Sequence, residues 1–234
     1  MDKVKDIRNK EIEYHEWLYN NRNLFESGSW LQKPVKTVLD SFNLLENKTD
    51  ITILDLGSGV GRNAIPLALE LKGSNSKVIC LDMLETATKL LRENAKKYNV
   101  DSYINAYTST IEDYDITSSE YDFVVAVSAL EHIESKELFI EKLSQIAKHT
   151  KHRGINCLIL NTSVEEILIV NGKILEPQFE LNLDTEEMDK LLDDIYGDWD
   201  VLKRNVSTQS YVIVRGGDPV LLNTNVITYV SRKV

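Results

Sequence analysis

The densest group of chemistry-bearing residues in this 234-residue chain is Asp55-Leu56-Gly57-Ser58-Gly59-Val60-Gly61-Arg62. Three glycines at alternate positions let a backbone turn tightly and approach a ligand with no Cβ in the way. A helix starting just after them would offer N–H groups that have no partner of their own. The spacing is G-x-G-x-G. The dinucleotide fingerprint G-x-G-x-x-G calls for glycine at position 62, where Arg62 stands. Asp55, immediately before the glycines, would repel a pyrophosphate. Both features disfavour NAD and an NAD-linked oxidoreductase. Asp55 suits a ligand with a positive ammonium or sulfonium group. Asp82 ends the next apolar run, where a carboxylate can accept hydrogen bonds from both hydroxyls of a ribose. S-adenosylmethionine (SAM) combines a ribose, an ammonium and a sulfonium.

These residues need a scaffold, and the hydrophobic pattern supplies one. Residues 51–56, 77–82, 103–108, 121–127 and 155–160 are short apolar runs that predict strands. Helical patterns follow the glycine turn (Ala64, Leu67, Ala68, Leu71), the second strand (Ala87, Leu90, Leu91, Ala95) and the fourth (residues 137–148). This alternation predicts an α/β, Rossmann-like, mostly parallel sheet of the seven-stranded type with helices on both faces. Its ligand belongs at the carboxyl ends of the strands, near the switch point. After residue 160 the alternation loosens. Residues 167–175 predict a hairpin with an Asn171-Gly172 turn. Asp184 and Glu187 predict a capping box for a helix through Leu191 and Leu192. Residues 199–206, 211–214 and 226–230 predict strands that give the sheet an antiparallel C-terminal end. The expected organisation is an N-terminal helical segment over residues 1–48 and a SAM-binding domain over 49–234. A hairpin and helix insertion is expected around 164–196.

At these motifs the chain resembles the class I SAM-dependent methyltransferases. Residues 55–61 look like the family's first motif and Val78 to Asp82 like its second. Thr110-Ile111-Glu112-Asp113 is similar to the turn whose first residues line adenine, with Thr110 where the family often has Asp. Phe123 to Ile133 looks like the fourth motif. The resemblance covers about residues 50–165. It implies a cofactor site of Asp55, Gly57, Ser58, Gly59, Arg62, Asp82, Met83, Thr110, Ile111 and Ser128. A narrower similarity, to the TehB-type tellurite-resistance methyltransferases, rests on Gly61-Arg62-Asn63, residues 154–160, Asp198-Trp199 and residues 229–233. The Gly-Glu-Leu-His segment of that group is not recognisable around 207–214, so its metalloid substrate does not carry over.

The function expected is methyl transfer from SAM to a small-molecule acceptor by in-line displacement. Such transfer needs alignment and exclusion of water more than covalent help. The candidate catalytic residues are His132, which could take a proton from the acceptor or hold the following helix, and Tyr14. Residues 14–30 carry Tyr14, His15, Trp17, Tyr19, Phe25 and Trp30, with Gly28 and Ser29 as a hinge. They read as a candidate lid or as a permanently packed helix. A SAM-binding or SAM-sensing module without transfer activity is the alternative, and it differs in lacking an acceptor pocket beside the methyl group.

Bulk properties narrow the partners. The net charge is −10, and Ser128-Ala129-Leu130 stands where nucleic-acid amino-methylases carry an Asn/Asp-Pro-Pro-aromatic run. Both argue against a nucleic-acid substrate. No apolar run is long enough to span a membrane, the N-terminus is too charged for a secretory signal, and a cytoplasmic location is the default. No His/Cys cluster predicts a metal. Cys80 and Cys157 read as core residues. The acceptor and the oligomeric state are not legible.

Overall fold

The structure, a computed structural model, describes residues 3–234. Six α-helices and eight strands are present among the described residues. The helices are α1 (Lys3–Asn21), α2 (Lys36–Phe42), α3 (Ala64–Glu70), α4 (Glu85–Lys97), α5 (Lys136–His149) and α6 (Thr185–Tyr196). The strands are β1 (Thr52–Leu56), β2 (Lys77–Asp82), β3 (Ile104–Thr108), β4 (Tyr121–Val127), β5 (Thr150–Leu168), β6 (Lys173–Leu175), β7 (Asp200–Arg215) and β8 (Asp218–Arg232).

They form one sheet in the order β3-β2-β1-β4-β5-β8-β7, with β6 paired to the far end of β5. Strands β3, β2, β1, β4 and β5 run parallel, while β8, β7 and β6 are antiparallel to their neighbours. The chain leaves β1 toward β2 and β3, then returns to β4 on the other side. The switch point is therefore between β1 and β4, and a crevice opens at their carboxyl ends.

Alternate residues of the central strands feed two apolar clusters, one on each face. Ile53, Val78, Phe123 and Val125 join Val38, Phe42, Leu67 and Leu91 from α2, α3 and α4. Leu54, Leu81, Val124 and Leu158 join Phe139, Leu143, Met188 and Leu192 from α5 and α6. Burial on both faces is why β1, β2 and β4 read as unbroken apolar runs. Cys80 and Cys157 are fully buried in these strands as free thiols.

The C-terminal half departs from the sequence expectation in extent. The run at 155–160 is the middle of the long strand β5, which bends where its pairing with β8 slips between Thr162 and Glu165. Leu168 pairs with Lys173, so the hairpin loop is 169–172 and not a two-residue Asn-Gly turn. The hairpin expected as an insertion thus begins inside β5. The two runs expected at 199–206 and 211–214 are one strand, β7, joined to β8 across Gly216-Gly217. Asp184 caps α6 by accepting from the Glu187 N–H at 2.7 Å. The Glu187 carboxylate pairs with Lys136. Among the described residues, no helix is long and apolar enough to cross a membrane.

Candidate active site

The turn after β1 is held on three sides. The Ser58 N–H donates to the Leu81 carbonyl at 2.9 Å, and Asn94 of α4 donates to the Val60 carbonyl at 2.9 Å. The Gly59 N–H donates to Asp82 Oδ2 at 2.8 Å. Gly61 has φ of 97°, and a Cβ there would lie 2.4 Å from Leu91 Cδ1 and 2.9 Å from Ile65 Cγ1. A Cβ at Gly59 would point to the Tyr19 hydroxyl, 2.9 Å away, across the space over the turn. Gly61 thus serves close packing, and Gly59 keeps the ligand side of the loop open.

A cavity of about 450 Å³ lies over this turn, within the roughly 300–1,000 Å³ of small-molecule sites. Gly57, Ser58, Gly59, Arg62, Asp82, Met83, Thr110, Ile111 and Ser128 all line it. Asp82 Oδ1 accepts from the Leu84 N–H at 2.9 Å. With Gly59 on the other oxygen, the carboxylate is fixed at the carboxyl end of β2. Burial raises the Asp82 pKa, against the lowering effect of these two N–H groups. Thr110 donates to Asp113 Oδ2 at 2.9 Å and accepts from the Asp113 N–H, so its hydroxyl serves its own turn. The Arg62 guanidinium lies 4.8 Å over the Trp30 ring and donates to the Trp30 carbonyl. It ties the segment after α1 to the glycine turn.

Asp55 alone of the expected cofactor residues does not line the cavity: it lies beneath the turn and is 1 % exposed. Its Oδ2, and the Ser58 Oγ, have no hydrogen-bond partner within the protein. Burial raises the Asp55 pKa to about 7; Arg62 opposes this and Asp82 adds to it. A buried carboxylate with one unmatched oxygen favours a cationic or N–H-donating ligand. The residues present therefore fit SAM. Asp82 would take the ribose and Thr110 and Ile111 the adenine, with the glycine turn and Asp55 under the methionine part.

The cavity extends beyond this set. One face of α1 lines it with Arg8, Glu11, Ile12, His15 and Tyr19, residues that fall at helical spacing. Tyr14 is not among the lining residues and is 45 % exposed, and Trp17 also faces outward. The neighbouring His15 occupies the inward position. The reason is rotational. Leu18 and Tyr19 of α1 join the main apolar cluster, and that anchoring turns Tyr14 and Trp17 to the outside.

His132 lies in a short helical turn after β4 and lines the cavity. Its Nδ1 is 2.9 Å from Glu180 Oε2, and the ring stacks on Phe179 with centroids 5.6 Å apart. Burial disfavours the imidazolium. The hydrogen bond and charge of Glu180, with Glu131 and Glu11 behind it, outweigh burial and raise the pKa to about 9. Asn161, at the end of the parallel part of β5, donates to Ser128 Oγ at 3.0 Å and to buried Glu131. Sequence reasoning passed over Arg8, Glu11, Asn161, Phe179, Glu180 and Tyr211. Of these, only Asn161 left a signal, as a polar residue at the end of an apolar strand.

Comparison with known proteins agrees with this geometry. A family described as methyltransferase domain matches residues 53–154. The ubiquinone biosynthesis O-methyltransferase of Rickettsia conorii is 38% identical over 109 residues, 45% of this chain and 33% of that protein. The chain spans about a third of the length of the curated relatives it matches. TehB from Haemophilus influenzae superposes with a TM-score of 0.60 at 22% identity, covering 84% of this chain and 61% of that one. The N-methyltransferase NodS from Bradyrhizobium japonicum, solved with S-adenosyl-L-homocysteine, superposes with a TM-score of 0.55 at 12% identity, covering 96% and 97%. Residues 53–154 are thus similar to a methyltransferase domain, and the strand order is that of the fold shared with these solved methyltransferases.

Proposed function

We propose that the protein transfers the methyl group of SAM to a small-molecule acceptor. The observation that carries this reading is the extent of the cavity. It continues from the glycine turn to His132, Asn161, Phe179, Glu180 and Tyr211, under the inner face of α1. A module that only binds or senses SAM has no need of this second space. A cavity under a helix suits a compact acceptor better than a duplex or a folded protein, and the net charge of −10 argues against a polyanion.

Bound in the first part of the cavity, SAM supplies a methyl group already activated on a sulfonium. The chain's own residues have three tasks. Asp82, the glycine turn and Asp55 orient the cofactor. The Arg8–Tyr19 face of α1 excludes water from the space above it. The Nε2 edge of His132 meets the acceptor; its neutral form, which gains population as pH rises toward 9, takes the proton when the acceptor is an O–H, N–H or S–H group, so transfer should speed up as pH rises toward 9.

The test is transfer of a labelled methyl group from SAM to a panel of small thiols, amines, phenols, carboxylic acids and metalloid anions. Protein and nucleic acid serve as competing acceptors. Incorporation into one small-molecule class is expected. Changing His132 to Asn should slow that transfer by about 100-fold or more, the lower end for loss of a general base. Faster labelling of protein or nucleic acid than of any small acceptor would overturn the acceptor class. Failure of the folded protein to bind SAM would overturn the reading as a whole.

A further inference from the structure

We propose that Glu180 is a positioning residue for methyl transfer: its buried carboxylate fixes the tautomer of His132 so that Nε2 faces the acceptor, and it joins that imidazole to α1 through Arg8. The proposal rests on the methyltransferase reading above and goes beyond it to a residue in a segment without regular structure, between β6 and α6.

The geometry is specific. The Glu180 side chain is 1 % exposed, against 25 % for His132. Its Oε2 meets His132 Nδ1 at 2.9 Å, and its Oε1 lies 3.5 Å from Arg8 Nε. Two cationic groups from two other elements therefore share one buried carboxylate. Arg8 also pairs with Glu112 at the adenine-side turn, and its Nη2 donates to the His132 carbonyl at 3.4 Å. Phe179 stacks on the imidazole and restricts its rotation.

With its pKa raised to about 9 the ring is mainly imidazolium at neutral pH; in the neutral form that reacts, a carboxylate accepting at Nδ1 fixes the Nδ1–H tautomer and leaves a lone pair on Nε2. Nε2 is the nitrogen free to meet a substrate. In the transfer step, the acceptor's X–H proton passes to Nε2 while the X–C bond forms and the C–S bond breaks. The products are the methylated acceptor, S-adenosylhomocysteine and an imidazolium. Glu180 stabilises that imidazolium without itself taking the proton. The charged groups around the ring are Glu180, Glu131, Glu11, Asp82 and Arg8. Of these carboxylates only Glu180 is within hydrogen-bond distance of the ring.

The experiment is an NMR titration of the imidazole nitrogens in protein saturated with S-adenosylhomocysteine. The chain has four histidines, so a His132→Asn variant assigns the signal. In the wild type, His132 is expected to titrate near 9. Glu180→Gln should lower its proton affinity at least tenfold and retain the Nδ1–H tautomer through the amide oxygen. Glu180→Ala should lower it similarly and lose the tautomer preference. Glu180→Asp, the conservative variant, should keep most of the raised affinity and covers the case in which Gln or Ala fails to fold. Calorimetric affinity for S-adenosylhomocysteine should stay within about threefold throughout, since Glu180 lies outside the proposed cofactor residues. An unchanged His132 titration in the Gln or Ala variant would overturn the role of Glu180 and leave the methyltransferase reading standing. Lack of S-adenosylhomocysteine binding by the wild type would overturn both.

Discussion

Asp82 and Gly59 are joined by a 2.8 Å hydrogen bond from the Gly59 N–H to Asp82 Oδ2. The carboxylate proposed for the ribose is thus also a strut for the turn proposed to lie under the methionine part. Removing it should act on both halves of the cofactor. Asp82→Ala is expected to weaken S-adenosylhomocysteine binding by about 1.5–3 kcal/mol, the range for a lost hydrogen bond to a charged group. That is roughly a 10- to 150-fold rise in Kd. Asp82→Asn keeps an acceptor for Gly59 and should lose less. Calorimetry on the two variants checks this, and equal affinity of Asp82→Ala and wild type would remove the assignment.

Gly61 makes a different prediction, because its missing Cβ is filled by the core. A methyl group there would lie 2.4 Å from Leu91 Cδ1, and φ is 97°. Gly61→Ala should destabilise the fold by about 1–3 kcal/mol, as overpacking does, with added strain from the positive φ. Urea denaturation with and without S-adenosylhomocysteine measures it. A variant as stable as the wild type would mean that α3 and α4 can separate at no cost.

Asp55 ties cofactor binding to pH. Its folded pKa, raised by burial to about 7, lies above the unfolded carboxylate value. The folded state therefore holds an extra proton between the unfolded pKa and about 7, and stability falls as pH rises through that window. Binding has the opposite sign. An ionised Asp55 suits the cofactor's ammonium group, so affinity should rise with pH up to about 7 and then level off. The limit below 7 is about tenfold per pH unit. Asp55→Asn should flatten the curve. Affinity independent of pH between 5.5 and 8 in the wild type would show that Asp55 does not face the ammonium group.

The site was legible where local pattern and chemistry coincide. The glycine turn, Asp55 and Asp82 sit on strands buried on both faces, whose apolar runs are unmistakable. The lengths of β7 and β8 were not legible from periodicity. β7 is an edge strand exposed along most of its length, so Ser207, Thr208, Gln209 and Ser210 break the apolar pattern without ending the strand. Gly216-Gly217, both with positive φ, was the signal for one long hairpin. Tyr14 and His15 are one helical step apart, roughly 100° of rotation, and only the burial of Leu18 and Tyr19 determines which of them faces the cavity. Glu180 was illegible in principle. It stands in a segment without period, and its partner His132 is 48 residues away in sequence.

The last prediction concerns α1. Its second half is packed down, since Leu18 and Tyr19, with Leu24 just beyond the helix, belong to the main apolar cluster. Deleting the segment would damage the core, and a truncation is a poor test. The first half meets the cavity through charged residues. Arg8 pairs with Glu112 and Glu180, and Glu11 lies 3.8 Å from Arg215 and 3.5 Å from His15. The Arg8–Glu180 pair has a buried carboxylate, but Arg8–Glu112, Glu11–Arg215 and Glu11–His15 are open to solvent on both members, where each pair contributes less and is weakened by salt. The half of α1 that ends near His15 should therefore open more readily than the half that follows. Hydrogen exchange checks this. Amides of residues 8–15 are expected to exchange faster than those of 16–21, to gain protection when S-adenosylhomocysteine binds, and to lose protection as salt is raised. Arg8→Gln should speed exchange in 8–15 and leave 16–21 unchanged. Uniform exchange along α1, insensitive to ligand and salt, would make the whole helix a fixed wall of the cavity.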